Sequence, residues 1–86
     1  MPQGPPLGHI ELLANALKSG DASQIAAALS VVVRAQGLVR IAEEAGISRM
    51  SLYKNVENKS GLRLSTLLRV LNALGYRLTV ERLPNG

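Results

Sequence analysis

LVRIAEEAGISRMSLYKNV, residues 38–56, predicts two short helices joined by a tight turn. In its first half, apolar residues recur at the i, i+3, i+4, i+7 spacing of one helical face: Leu38, Ile41, Ala42 and Ala45. Gly46 follows, and glycine is the residue that ends a helix in a left-handed conformation without steric cost. Ser48 can then cap a second helix through its hydroxyl group. We therefore expect a helix, a sharp turn and another helix.

The second helix of this pair has an outer face without a carboxylate. Leu52 and Val56 face one way on a helical projection, and the remaining side chains face away from them or lie on the flanks: Arg49, Met50, Ser51, Tyr53 and Lys54. Such a face suits contacts with base edges and phosphates. The pattern is typical of a helix-turn-helix, whose second helix enters the major groove of DNA. Similar helix pairs also occur in helical proteins that never touch DNA.

The composition favours a small helical domain, and its basic charge is compatible with a polyanionic partner but is shared by ribosomal and membrane-surface proteins. The chain has 86 residues, with ten basic and six acidic residues, which gives a net charge of +4. A polyanion such as DNA is compatible with this charge. The sequence contains no Phe or Trp and only two Tyr, so the core must consist of aliphatic side chains. The scarcity of aromatic residues also argues against an RNA-binding platform of stacked bases.

The sequence contains no pattern typical of an enzyme or a metal site. It has no cysteine, which excludes disulfides and thiolate zinc sites. The single histidine, His9, stands at the expected start of a helix, and the adjacent Glu43 and Glu44 diverge by about 100° on a helix. We expect neither catalysis nor a cofactor. Because no apolar run approaches ~18 residues and no basic-then-apolar leader opens the chain, we expect a cytoplasmic protein that does not enter a membrane.

The rest of the chain predicts one domain over residues 9–83. Residues 1–8, MPQGPPLG, indicate a disordered arm, native or derived from cloning. Apolar spacing predicts further helices over residues 9–19, 22–36 and 64–74, each followed by a glycine. The Leu64, Leu67, Leu68, Leu71 and Leu74 stripe makes the last helix the most clearly amphipathic. The polar loop before it carries Lys59, a further candidate for contact with DNA.

Residues 76–82, YRLTVER, alternate apolar and polar side chains, which predicts a short β-strand. The fold class expected is therefore all-α, with five helices and one C-terminal strand. Since a lone strand leaves its backbone groups unpaired, we expect it to pair with the same strand of a second copy. In such a homodimer, Tyr76, Leu78 and Val80 would face the last helices of both subunits.

The chain resembles the λ-repressor-like, Xre/Cro type of helix-turn-helix protein, and more narrowly the HigA-like addiction-module antidotes. The resemblance rests on three segments: GDASQIAAAL from residue 20, RIAEEAGISRMSLYK from residue 40, and LSTLLRVLNALGYRLTV from residue 64. It covers residues 9 to 83. It implies a dimer that represses its own operon by binding a double-stranded DNA operator. It also implies neutralisation of a partner toxin, usually a small RelE- or HigB-like ribonuclease.

By position, the resemblance implies a set of DNA contacts in the second helix of the motif. Ser48, Arg49, Met50 and Lys54 match positions that contact bases and phosphates, and Tyr53 lies beside them. Relatives often begin the first motif helix with Gln, where this chain has Leu38, so the backbone contact passes to Arg40. Asn55 stands near a position that is usually apolar or small.

Two other functions remain compatible with the same residues. The first is a free-standing or phage-type regulator with no toxin. The second is an interaction protein that neutralises a toxin without using DNA.

Overall fold

A computed structural model describes residues 7–57 and 62–84 of the chain. These residues form five α-helices: α1 (Leu7–Ser19), α2 (Ala22–Gln36), α3 (Leu38–Ala45), α4 (Arg49–Glu57) and α5 (Leu64–Leu74). The expectation of an all-α fold with five helices is confirmed. The arm was expected to extend to residue 8, but α1 already begins at Leu7. In the sequence, Leu7 stands three residues before Ile10, so the helical repeat continues back to it.

Helix α2 lies at the centre of the packing and contacts α1, α3 and α4, while α3 also packs on α4 and α5. The largest fully buried side chains come from four helices: Leu29, Val32 and Val33 of α2, Ile41 of α3, Leu52 of α4 and Val70 of α5. Each such side chain contributes about 1.5–3 kcal/mol of hydrophobic stabilisation. The β-branched run at residues 31–33 is helical, as expected, because its flanking caps and its burial outweigh its strand propensity.

Helix α2 begins at a capped N-terminus. The carboxylate of Asp21 accepts hydrogen bonds from the Ser23 N–H at 2.9 Å and from the Ser23 hydroxyl at 2.8 Å. These bonds, the hydroxyl first, lower the pKa of Asp21 below its usual value. The cap therefore stabilises α2 at neutral pH, and its contribution is lost in acid as the pH falls through that lowered pKa.

The turn after α3 is closed by a left-handed glycine. Gly46 has φ 74° and ψ 30°. Its N–H donates to the Glu43 carbonyl at 3.2 Å, and the Ile47 N–H donates to the Ala42 carbonyl at 3.0 Å. This pair of bonds is a Schellman motif, which satisfies the last carbonyls of α3. Ile47 packs against the core, so the turn is fixed both by hydrogen bonds and by an apolar contact.

Helix α5 differs in one respect from the sequence-based expectation. Leu67, Leu71 and Leu74 are buried as expected, but Leu64 and Leu68 are 65% and 45% exposed. Val70 is fully buried in their place. The stripe that faces α3 is therefore narrower than the five leucines indicate, because a helix of this small domain is covered on one side only.

The predicted C-terminal strand is not present: residues 76–83 form neither a helix nor a strand. Tyr76 and Leu78 are half-buried against the core, and Arg77 and Thr79 between and after them are exposed. Val80 is 95% exposed, so it does not share the contact expected for all three apolar residues. The physical reason is that a single copy of the chain offers this segment no second strand in the described residues, and a strand needs a paired neighbour.

Across residues 7–57 and 62–84, no single helix is long and apolar enough to cross a membrane. Helices α2 and α3 reach that length and composition only together, and they are bent by 105° where they meet.

Replacement of Gly46 tests the turn. We expect Gly46→Ala to lower the free energy of unfolding by about 1–2 kcal/mol, because an L-residue is strained at this positive φ. Urea unfolding followed by circular dichroism measures the change. Gly8→Ala is the matched control, since Gly8 is helical and a Cβ there meets no atom within 4 Å. Equal stabilities for the two variants would contradict the role of Gly46.

Candidate nucleic-acid interface

Helix α4 is held in place by its cap and by two buried side chains. The Ser48 hydroxyl oxygen accepts a hydrogen bond from the Ser51 N–H at 3.0 Å, and the Ser48 carbonyl accepts one from the Leu52 N–H at 3.0 Å. Leu52 and Val56 are 0% and 2% exposed and pack into the core. The cap expected at Ser48 is therefore present, and α4 is anchored along its inner side.

The outer side of α4 carries the residues that the sequence singles out. Met50 is 62% exposed and Tyr53 is 50% exposed. Arg49, Ser51 and Lys54 are exposed as well. The structure thus gathers these five side chains on one solvent-facing helix. Their contact with DNA remains a prediction.

A groove of about 570 Å³ runs between α4 and the first half of α5. Its described lining is polar or basic except at one position, and it consists of Ile47, Ser51, Lys54, Asn55, Arg63, Ser65, Thr66 and Arg69. Three cations and no carboxylate are in this set. Such a lining concentrates positive charge next to the exposed face of α4. The arrangement can hold an anion the size of a phosphate group.

Arg63 and Arg69 were not among the candidates found from sequence. Arg63 caps α5 with its backbone, and its side chain lines the groove. Arg69 donates a long hydrogen bond, 3.5 Å, to the Gly46 carbonyl in the turn of the motif. One signal was available in the sequence, because Arg69 is the only charged residue in α5, LSTLLRVLNAL.

Asn55 joins the two walls of the groove. Its Nδ2 donates to the Ser51 carbonyl at 2.9 Å, and its Oδ1 accepts from the Arg63 N–H at 3.1 Å. One amide side chain thus ties the second turn of α4 to the residue that precedes α5. These two hydrogen bonds give a polar side chain at this position a structural role.

Two acidic residues, one on α3 and one on α4, are paired with arginines. Glu57, at the end of α4, forms an ion pair with Arg34 of α2 and accepts a hydrogen bond from the Ser30 hydroxyl at 3.4 Å. Glu44 pairs with Arg40 at 3.1 Å. Because these pairs are solvent-exposed, each contributes only ~0–1 kcal/mol to stability. Their larger effect is to neutralise the charge of these two carboxylates.

Arg40 lies outside the groove. Its Nη1 donates to Glu44, its Nη2 donates to the Gln36 side chain at 3.0 Å, and its Nε donates to the Gln36 carbonyl at 3.3 Å. A guanidinium group has five N–H donors, so two remain for another acceptor. Lys59, the last predicted contact, lies outside the described residues.

Comparison with known proteins identifies the family to which this chain belongs. Residues 9–82 match a family described as probable addiction module antidote protein. The chain belongs to this family. It is also 32% identical over 75 residues to an uncharacterized protein of Haemophilus influenzae, an alignment that covers 86% of this chain and 77% of the relative. No solved structure gives a significant match. Membership of an antidote family implies a toxin partner in general.

An antidote needs a surface for its partner, and α1 and α2 offer an apolar one. A groove of about 340 Å³ between them is lined by uncharged residues: Leu12, Asn15, Ala16, Gln24, Ala27, Ala28 and Val31. Leu12 is 39% exposed and Val31 is 55% exposed. Ile10 of α1, on the edge of a second apolar groove, is 46% exposed. Leu13 and Ala16 are buried, so α1 also covers the core.

Replacement of Asn55 tests the link between α4 and α5. We expect Asn55→Ala to lower the free energy of unfolding by about 1 kcal/mol, because the Arg63 N–H and the Ser51 carbonyl lose their partner. The measurement is urea unfolding. Asn72→Ala, at an exposed position of α5, is the control and should change stability by less than about 0.5 kcal/mol. A loss no larger than that of the control would mean that the Asn55 hydrogen bonds carry no stability.

Proposed function

We propose that this antidote-family protein is a sequence-specific DNA-binding repressor of its own operon in the cytoplasm, and that α4 is its recognition helix. One observation supports this most strongly. The exposed face of α4 adjoins a groove whose described lining contains three cations, Lys54, Arg63 and Arg69, and no carboxylate. Positive potential beside a rigid exposed helix is what a phosphate backbone requires.

The side chains divide by position into two roles. Arg49 and Met50 stand in the first turn of α4, where recognition helices contact base edges. Lys54, Arg63 and Arg69 line the groove and would contact phosphates. The hydroxyls of Ser48, Ser51 and Tyr53 can donate to a base edge or to a phosphate. Arg40 would use its two remaining N–H groups on a phosphate, and Lys59 in the loop would add another contact.

The proposed repressor acts as a homodimer. One recognition helix spans few base pairs, and a two-fold dimer places two of them on half-sites about 34 Å apart. Tyr76, Leu78 and Val80 are the proposed dimer contacts. The exposure of Val80 supports this, because an apolar side chain that is 95% exposed on one copy is available to a second.

Alanine substitutions separate the two roles. We expect Arg49→Ala to reduce discrimination between the operator and unrelated DNA by about 1–3 kcal/mol. Lys54→Ala and Arg69→Ala should instead weaken binding about uniformly and reduce the salt slope of log K by about 1 each. Gel-shift titrations with the chain's own upstream region, at several salt concentrations, measure both quantities.

Lys18→Ala is the matched control, because Lys18 is an exposed cation at the far end of α1. If the three interface variants, like the control, bound with the affinity of the unchanged protein, the recognition helix would be misassigned. If the unchanged protein bound no DNA in its upstream region, a protein that neutralises its toxin without DNA would become the better description.

We further propose that the antidote role is exercised through α1 and its groove with α2, against a small RelE- or HigB-like ribonuclease. The support is that this surface is apolar and uncharged, and that it is built by residues outside the helix-turn-helix. A protein partner can bury Leu12 and Val31 there, whereas DNA would gain nothing from them.

Charged substitutions test the toxin surface without removing α1, whose Leu13 and Ala16 are needed in the core. We expect Leu12→Asp to abolish rescue from the toxin encoded beside this gene while leaving operator affinity within about twofold, because a carboxylate in the interface lacks a partner. Leu68→Asp on α5 is the control for an added exposed charge. Full rescue by Leu12→Asp would exclude this surface, and absence of a neighbouring toxin gene would favour a free-standing regulator.

A further inference from the structure

We propose that residues 76–82, YRLTVER, pair antiparallel with the same residues of a second copy in one register, with Thr79 on the two-fold axis. This deepens the homodimer of the proposed function and rests on it. The segment has the alternation of a strand but no strand partner in the described part of its own chain. Its register follows from the order of its side chains.

With Thr79 on the axis, every residue of the segment meets a complementary one. Residue i lies opposite residue 158 − i, so Arg77 faces Glu81 of the second copy, and Glu81 faces Arg77 in turn. Leu78 faces Val80, and the two Thr79 residues face each other. Opposite charges, apolar pairs and Thr–Thr pairs are the favourable cross-strand combinations in antiparallel sheets. Residues 77–81 are therefore complementary to the same residues of a second copy that runs antiparallel to them.

Neighbouring registers lose this match. An axis at Arg77 or at Glu81 sets like charges opposite each other. An axis at Val80 sets Leu78 opposite Arg82. An axis at Leu78 keeps apolar pairs but leaves both charges without a partner, and it draws in Gly75, whose φ of 91° belongs to the cap of α5. An axis between two residues would turn the apolar faces of the two strands to opposite sides.

Burial in the single chain agrees with this register. Tyr76 and Leu78 lie against their own core, and Arg77, Thr79 and Glu81 are exposed. Val80 shares the face of Leu78 but is 95% exposed, because the chain has passed beyond its own core there. In the paired strand, Val80 lies opposite the second copy's Leu78, over the second copy's core. The apolar surface that one copy leaves uncovered is thus covered by the other.

Single cysteines test the register directly, since the natural chain has none. We expect Thr79→Cys to form a disulfide-linked dimer under mild oxidation, because opposite residues in antiparallel strands are at a distance that a disulfide spans. Arg77→Cys and Glu81→Cys should stay largely unlinked when oxidised alone and should link when mixed. Efficient linkage of Arg77→Cys or Glu81→Cys alone, or equal linkage of all three, would overturn the register.

Exchanging the two charged residues tests the same pairs without covalent cross-linking. Arg77→Glu should raise the dimer dissociation constant, measured by sedimentation, by about tenfold, because two attractive pairs become repulsive. The double variant Arg77→Glu/Glu81→Arg should restore it. Lys18→Glu, which makes the same charge change on α1, is the control. A dimer unaffected by Arg77→Glu, or a monomeric unchanged protein, would overturn the proposal.

Neither the cross-linking experiment nor the sedimentation experiment uses DNA, so each tests the strand pairing separately from the repressor role. A dimer linked at Thr79 that fails to bind its upstream region would leave the pairing intact and refute the repressor role. Operator binding by a protein that forms no disulfide at Thr79→Cys would support the repressor role and refute the proposed register.

Discussion

The left-handed turn at Gly46 is the constraint on which the rest of this structure depends. It ends α3 and satisfies its last carbonyls, and it delivers Ile47 to the core and Ser48 to the cap of α4. The direction of α4 follows from these few residues, and Leu52 and Val56 then fix its rotation. Arg69 of α5 also reaches the Gly46 carbonyl. The exposed face of α4 and the adjoining groove are therefore consequences of one backbone conformation that glycine alone adopts easily.

The basic surface beside α4 results from where the charged side chains lie in the fold rather than from the overall composition. The excess of basic residues is small, yet the groove beside α4 contains three cations and no carboxylate in its described lining, and Arg34 and Arg40 pair with Glu57 and Glu44. Exposed ion pairs of this kind add little to stability. They matter because unpaired carboxylates at the same sites would repel a polyanion within a Debye length of about 8–10 Å. The surface between α1 and α2, in contrast, is uncharged. The two surfaces thus differ in the kind of partner that each can accept.

The sequence predicted the parts of this fold that depend on local periodicity and caps. All five helices were expected, as were Gly46 as a helix end and Ser48 as a cap, because these features arise from neighbouring residues. The burial of Val70 in place of Leu68 was missed, since it depends on where α3 lies. The groove was missed for the same reason: Arg63 and Arg69 are brought near Lys54 because α4 and α5 both pack on α3. The prediction of a strand at residues 76–82 was wrong for a single copy. An alternating pattern indicates that a segment can pair with another strand, but not that such a strand is present.

The aliphatic core has a spectroscopic consequence. With neither Trp nor Phe in the sequence, near-ultraviolet absorption and fluorescence come from two tyrosines alone. Tyr53 lies on the exposed face of α4, and Tyr76 lies at the other end of the chain with its hydroxyl buried. The two chromophores are therefore in different environments, one in water and one out of it. Removal of either tyrosine leaves a single natural fluorophore, so events on α4 and events at the C-terminal segment can be followed separately without any added label.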